Sequence, residues 1–177
     1  VFSGLTANGG EIFLNNFKYI GFSLTQSSDN YITDSAAGGT ALSTGKKTYN
    51  GAIAMHVDAK GDTVALKTVL EMSEEKGLAT GLVATAAITH ATPASFIAHQ
   101  VDRNSYEAIA ADFLKTDIDV FIGGGYKNFT QREDGRDLTI DLVKDGYQVL
   151  QTMEEIAAVK SGKLAGFTAF GQNKPYP

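Results

Sequence analysis

Tyr31-Ile32-Thr33-Asp34-Ser35-Ala36-Ala37-Gly38-Gly39-Thr40-Ala41-Leu42 changes character in its middle. A β-type run ends in Thr33-Asp34-Ser35, and small residues of helical character follow at once. The switch predicts a strand end at 31–33 and a helix over 35–44. Gly45 suits the left-handed position that stops it. Ser35 then stands at a helix N-terminus with no bulky neighbour to block access. Unpaired backbone N–H groups and the positive end of the helix dipole favour an anion there. A serine so placed is most often a cap, and a nucleophile in fewer cases. Asp34 is itself a candidate cap, or a carboxylate that orients a cation beside Ser35.

Outward from this stretch, strands and helices alternate. Residues 49–58 read as extended or looped. Val64, Leu66, Val69, Leu70 and Met72 place an apolar stripe on a helix predicted over 63–76, with Asp62 as its N-cap and Gly77 as its stop. Residues 78–87 form a continuous apolar run, as expected of a strand buried on both faces of a parallel sheet. A loop at 88–92 leaves it, and Pro93 suits the first turn of a short helix at 94–98. Asn104 or Ser105 caps the next helix, whose buried face is Ala108, Ala111, Phe113 and Leu114. Further strands are predicted at 119–122, 147–150 and 164–170, and further helices at 137–144 and 153–161. Before residue 31, Ile12-Phe13-Leu14 and the run 17–22 suggest a short helix leading into a strand. Residues 171–177 read as loop.

The expected fold is therefore α/β, a mostly parallel sheet flanked by helices. By length, residues 1–177 make one domain. Ligands of open α/β sheets gather beyond the carboxyl ends of the strands. Ser35, Thr92 and Gly123-Gly124-Gly125 each follow a predicted strand, so they are expected to share one edge.

Composition narrows the chemistry. A formal net charge of −5 argues against a nucleic-acid partner, which calls for a basic face. It leaves room for a small phosphorylated substrate, which one arginine and a metal neutralise locally. With no cysteine there is no disulfide, thiolate nucleophile or Cys-ligated zinc. No apolar run approaches the roughly 20 residues of a membrane helix, and no secretory signal is visible.

Two phosphate loops are rejected. Around Gly45-Lys46-Lys47, Thr40 stands where a GxxxxGK[ST] loop needs its first glycine, and Lys47 where it needs Ser or Thr. Gly123-Gly124-Gly125 lacks GxGxxG spacing, with Asn128 in place of the last glycine. His56, His90 and His99 have no HxxxH or HxH spacing, which disfavours a self-contained zinc site. His99 by itself reads as packing or capping. His90 and Thr92 alternate along one strand exit and so face one side. The Thr92 hydroxyl is a reasonable ligand for a hard ion such as magnesium, though a turn hydrogen bond is its commoner use. Arg103, just before a helix start, is either a surface partner of Asp102 or a two-pronged phosphate clamp.

Together, several segments closely resemble the alkaline phosphatases in order and spacing. They are Thr33-Asp34-Ser35-Ala36-Ala37, Gly45-Lys46-Lys47-Thr48-Tyr49-Asn50-Gly51-Ala52, Thr85-Ala86 with His90-Ala91-Thr92-Pro93-Ala94, Arg103, and Phe121-Ile122-Gly123-Gly124-Gly125. The first thirty residues and the tail carry little of the likeness. The resemblance implies hydrolysis of phosphate monoesters through a phosphoserine. Ser35 matches the nucleophile, which lies against a zinc ion, and Arg103 the arginine that holds two phosphate oxygens. Asp34 matches the carboxylate that steadies that arginine, and Thr92 the threonine ligand of a magnesium site. His90 matches a position, in the second shell of that site, that is aspartate in some members and histidine in others.

Two zinc ions and one magnesium, a homodimer, and a periplasmic or secreted location are likewise implied. The other metal ligands have no match: no Gly-Asp-Gly strand end precedes Asp34, and none of the three histidines matches the later zinc ligands. The resemblance thus implies an internal piece of a larger domain, with an incomplete sheet and little or no activity on its own. The alternatives are a non-catalytic phosphate- or anion-binding module, and a related metal-dependent hydrolase of the sulfatase or phosphodiesterase type. A structural domain in which Ser35 is only a cap also stays open.

Overall fold

The computed structural model describes residues 2–19 and 21–174. Its helices are α1 (Phe2–Ala7), α2 (Ser35–Thr44), α3 (Val69–Glu74), α4 (Ala91–Ala94), α5 (Tyr106–Asp112), α6 (Lys127–Thr130), α7 (Leu138–Lys144) and α8 (Met153–Ala158). Its strands are β1 (Met55–Val57), β2 (Thr63–Ala65), β3 (Gly81–Ala87), β4 (Val120–Gly124), β5 (Gln148–Leu150) and β6 (Leu164–Ala169). Strands β3, β4, β6 and β5 form one parallel sheet in that order, and β1 and β2 form a separate antiparallel pair. The α/β class read from the alternation is the architecture observed.

The core gathers around Phe121 on β4, which is fully buried. Its ring centroid lies 4.9 Å from Phe113, 5.6 Å from Tyr147, 6.0 Å from Phe167 and 6.1 Å from Phe129. These partners come from both sides of β4 in sequence, so the cluster ties the 106–130 segment to β6 and to the start of β5.

Glycines at the end of β4 serve close packing. A Cβ on Gly124 would lie 2.4 Å from the carbonyl oxygen of Gly171. The Gly125 N–H donates to that same carbonyl at 2.7 Å, and the Ala87 N–H donates to Oε1 of Gln172 at 2.8 Å. Residues 171–172 therefore lie across the carboxyl ends of β3 and β4. Gly124→Ala is expected to displace them and cost about 1–3 kcal/mol, the usual penalty of overpacking. Urea unfolding would show the loss, and hydrogen exchange would speed up at the Ala87 and Gly125 amides. Unchanged stability and exchange would contradict this reading.

Several expectations are corrected. Residues 63–76 are not one helix: Thr63–Ala65 pairs as β2 with β1, and α3 begins only at Val69. The β-branched Thr63 and Val64 favour the strand, and Gly61, at φ 88°, closes the turn from β1. Thr68, not Asp62, caps α3. Its hydroxyl accepts the Glu71 N–H at 3.2 Å, and Glu71 accepts the Thr68 N–H at 2.8 Å. The short helix near Pro93 starts earlier, at Ala91. In the first thirty residues the helix falls at Phe2–Ala7 and a 3-10 turn at Phe13–Asn16, and no strand forms among described residues 17–30. Residues 31–33 join no sheet either. The predicted loop at 171–177 is seen for 171–174, and residues 175–177 lie outside the described part.

Strand β3, expected to be buried on both faces, is an edge strand whose alternate residues face solvent, Val83 being 74% exposed. Phe13, Phe17, Tyr19, Phe22, Leu24 and Tyr31 are also exposed. The accessible surface is 10945 Å², against about 8,300 Å² for a compact monomer of this mass. Apolar groups at 13–32 and along β3 contribute to that excess. No helix of the described residues is long and apolar enough to cross a membrane.

Candidate active site

Helix α2 has the predicted bounds because both ends are locally encoded. The Asp34 carboxylate caps it by accepting the Ala37 N–H at 2.8 Å, and Gly45 ends it at φ 74°. Ser35 is the first helical residue, and it is exposed. The cap is thus Asp34, and the serine hydroxyl is left to other uses.

The small residues of α2 do more than clear space around Ser35. A Cβ on Gly39 would meet Oγ of Ser95 at 2.9 Å, so α2 lies against the chain just after α4 at backbone distance. The Ser43 hydroxyl donates to the Ser95 carbonyl at 2.6 Å, and Thr40 donates to Ala52 O at 3.1 Å while accepting the Ala54 N–H at 2.9 Å. Two helix-interior glycines cost roughly 1 kcal/mol each in propensity, and this close approach is what requires Gly39.

Arg103 reaches Asp34 across 69 residues of chain. Its Nη1 donates to Asp34 Oδ2 at 2.9 Å, and the two side chains are 23% and 24% exposed. This is its one side-chain hydrogen bond among the described residues, which leaves Nε and Nη2 to a ligand. The surface pairing with Asp102 is not what forms. The Arg103 N–H donates to the Gly51 carbonyl at 2.8 Å, and the Gly51 N–H donates to Asp34 Oδ2 at 3.0 Å. One carboxylate therefore caps α2, holds the guanidinium and anchors the turn at residue 51.

His90 and Thr92 flank the start of α4, His90 half-buried and Thr92 exposed. Both line a groove of about 570 Å³ that runs along β3 past Leu82, Ala84 and Phe96. Burial, and secondly the Arg103 charge, push the His90 imidazole below its usual range. It is therefore neutral at pH 7 with a lone pair to offer. Arg103 is thus within electrostatic reach of His90.

The expected convergence of three strand ends is only partly realised. Thr92 does follow β3, but Ser35 follows a bend that belongs to no strand, and Gly123 and Gly124 lie within β4 itself. His99 is structural, its Nε2 lying 3.0 Å from Leu66 O and 3.5 Å from the Glu71 carboxylate. Among the described residues no group of three or more His, Asp or Glu side chains could hold a metal ion. Zinc takes about four ligands, and the Ser35 and Thr92 hydroxyls with one imidazole do not make that set. The residues present do not by themselves fit the metal cage that the resemblance implies.

Asn50, Gly51 and Asp29 carry structure here that the sequence reading did not assign. The Asn50 side chain accepts the Asp34 N–H at 3.0 Å and donates to the Ile32 carbonyl at 2.9 Å. The available signal was the Asn-Gly turn dipeptide inside the quoted motif.

Known proteins resemble this chain in sequence and in fold. A family model described as alkaline phosphatase matches residues 3–169. Alkaline phosphatase 3 of Bacillus subtilis is 45% identical over 146 residues, covering 79% of this chain and 30% of that protein. Alkaline phosphatase of Escherichia coli K12 is 35% identical over 153 residues, covering 73% and 32%. Among solved structures, the alkaline phosphatase of the Antarctic bacterium TAB5 superposes with a TM-score of 0.83 at 37% identity, covering 98% of this chain and 50% of that one. A histidine-to-aspartate variant of that enzyme is described with magnesium bound in its M3 site. The Thermus thermophilus enzyme gives a TM-score of 0.81 at 37% identity, covering 96% and 36%. The chain thus spans about a third of the length of the curated relatives and half of the TAB5 enzyme. By sequence and by fold, it belongs to the alkaline phosphatase family.

Proposed function

We infer that this chain supplies the nucleophile and the phosphate clamp for hydrolysis of small phosphate monoesters. The observation that carries the reading is the Asp34–Arg103 ion pair at 2.9 Å, built onto the first turn of α2 beside an exposed Ser35. In the reaction the Ser35 oxygen attacks phosphorus in line. The bond to the alcohol oxygen breaks, the alcohol leaves with a proton, and water then releases phosphate from the phosphoserine. Nε and Nη2 of Arg103 hold two non-bridging oxygens throughout. Phosphoryl transfer needs positioning and charge neutralisation more than covalent help, and the Ser35 turn and Arg103 are suited to contribute to each.

A serine hydroxyl is a weak nucleophile near neutral pH unless a base or metal activates it. No His, Asp or Glu side chain is hydrogen-bonded to Ser35 among the described residues. Two variants of the TAB5 enzyme are described with bound magnesium, and we assign two zinc ions and one magnesium to the whole enzyme. Ser35 and Thr92 are this chain's direct ligands in that assignment, with His90 behind Thr92. Residues 1–177 are then part of a larger α/β domain. A homodimer and a periplasmic or secreted location belong to the same proposal.

An aryl phosphate assay at alkaline pH with added zinc and magnesium tests it. The 177 residues alone should turn over little or no substrate yet bind inorganic phosphate. Strong turnover without another polypeptide would show that the activating groups are already present. A phosphoserine trapped at any position other than 35 would remove Ser35 from its role. The absent base favours one other reading, a non-catalytic anion-binding module. That reading predicts phosphate binding without any phosphoserine, even in the full-length enzyme.

A further inference from the structure

We propose that Asn50 is a positioning residue that couples the Ser35 turn to Arg103, a role that rests on the phosphate-clamp reading above. Residues 31–34 bend into the start of α2 and join no strand. Two backbone groups of this stretch, the Ile32 C=O and the Asp34 N–H, are taken by one side chain. Asn50 Nδ2 donates to the first at 2.9 Å, and Asn50 Oδ1 accepts from the second at 3.0 Å. Asparagine has both a donor and an acceptor at the required reach. Aspartate would lose the donor and add a negative charge beside Asp34.

The Asn50 backbone is held in turn. Its N–H donates to Asp29 Oδ1 at 3.0 Å, and that same oxygen accepts the Ser27 hydroxyl at 2.8 Å. Those contacts hold the Asp29 carboxyl below its usual range. The next residue, Gly51, sits at φ 94°, where a side chain would be strained. From there it donates to Asp34 and accepts from the Arg103 N–H. The 50–51 turn thus touches the segment before Ser35, the carboxylate beside it and the backbone of the clamp. With phosphate gripped by the arginine and attacked by the serine, this turn sets the distance between them. Misplacement of such groups by about 1 Å can cost 10²-fold.

Two measurements on the 177-residue chain test the coupling. Hydrogen exchange on Asn50→Ala should speed up at both the Asp34 and the Arg103 amides, with the melting temperature little changed. Titration of inorganic phosphate followed by phosphorus NMR should show about 10-fold weaker binding in Asn50→Ala. In Asn50→Ala/Arg103→Ala, binding should be no weaker than in Arg103→Ala alone, because Asn50 acts through the clamp. A merely structural role would make the two losses add. Unchanged exchange at Arg103, wild-type affinity in Asn50→Ala, or additive losses would each overturn the proposal. A wild-type chain that binds no phosphate would refute the clamp reading instead, and the exchange measurement would still decide the coupling.

Discussion

Arg103→Ala should weaken inorganic phosphate binding by about 10²–10⁴-fold. Two hydrogen bonds to a charged oxygen group are worth about 1.5–3 kcal/mol each, and both go with the side chain. Arg103→Lys should retain part of the affinity. It keeps the charge but loses the planar fork that meets two oxygens at once and leaves one donor for Asp34. The fold should tolerate both changes. Asp34 would still accept the Ala37 and Gly51 N–H groups, so α2 keeps its cap. Calorimetric titration with phosphate, set beside thermal melts, separates affinity from stability. Wild-type affinity in Arg103→Ala would mean that the anion is held elsewhere.

The largest effect on stability is expected at Phe121. Its ring is fully buried and packs against four other aromatic rings, three of them fully buried too. Truncation to alanine removes most of a side chain and leaves a cavity that those rings cannot close without leaving their own packing. Phe121→Ala should cost about 3–5 kcal/mol, which for a chain of this size lowers the melting temperature by about 6–20 °C. Phe121→Leu should cost clearly less, since it refills part of the space. Urea unfolding reads both, and an unchanged m-value would show that the loss is in the native state. A loss below 1 kcal/mol in Phe121→Ala would mean that the cluster is looser than these centroid distances indicate.

What was legible in advance was mainly local. Asp34 as a possible cap, Gly45 as a stop and the intervening Ala and Gly residues specify α2 from within the segment 34–45, and the helix has the expected bounds. The runs that became β4, β5 and β6 were read to within two residues at each end. Where local signals conflicted, the reading failed. Val64 and Leu66 fit a helical stripe with Val69 and Leu70. Yet Thr63-Val64-Ala65 found β1 as a partner, and a ladder outweighs a weak propensity. The apolar run in β3 carried no information about which strands would lie beside it. It is an edge strand here because, among the described residues, only β4 pairs with it.

At the site, the sequence by itself determined how α2 begins. Ser35 and Asp34 open it, whereas His90 and Thr92, read as loop, stand at the start of α4 only in the folded chain. The α2 placement follows from capping and turn chemistry, which act over three or four residues. The tertiary structure chose, between the two partners the sequence left open for Arg103, Asp34 over Asp102, and it alone decided that Asn50 holds the backbone of residues 32 and 34. Those choices join segments 16 to 69 residues apart. The close approach at Gly39 and the turn at Gly51 settle them, and of the two only the turn has a local signature, the Asn50-Gly51 dipeptide.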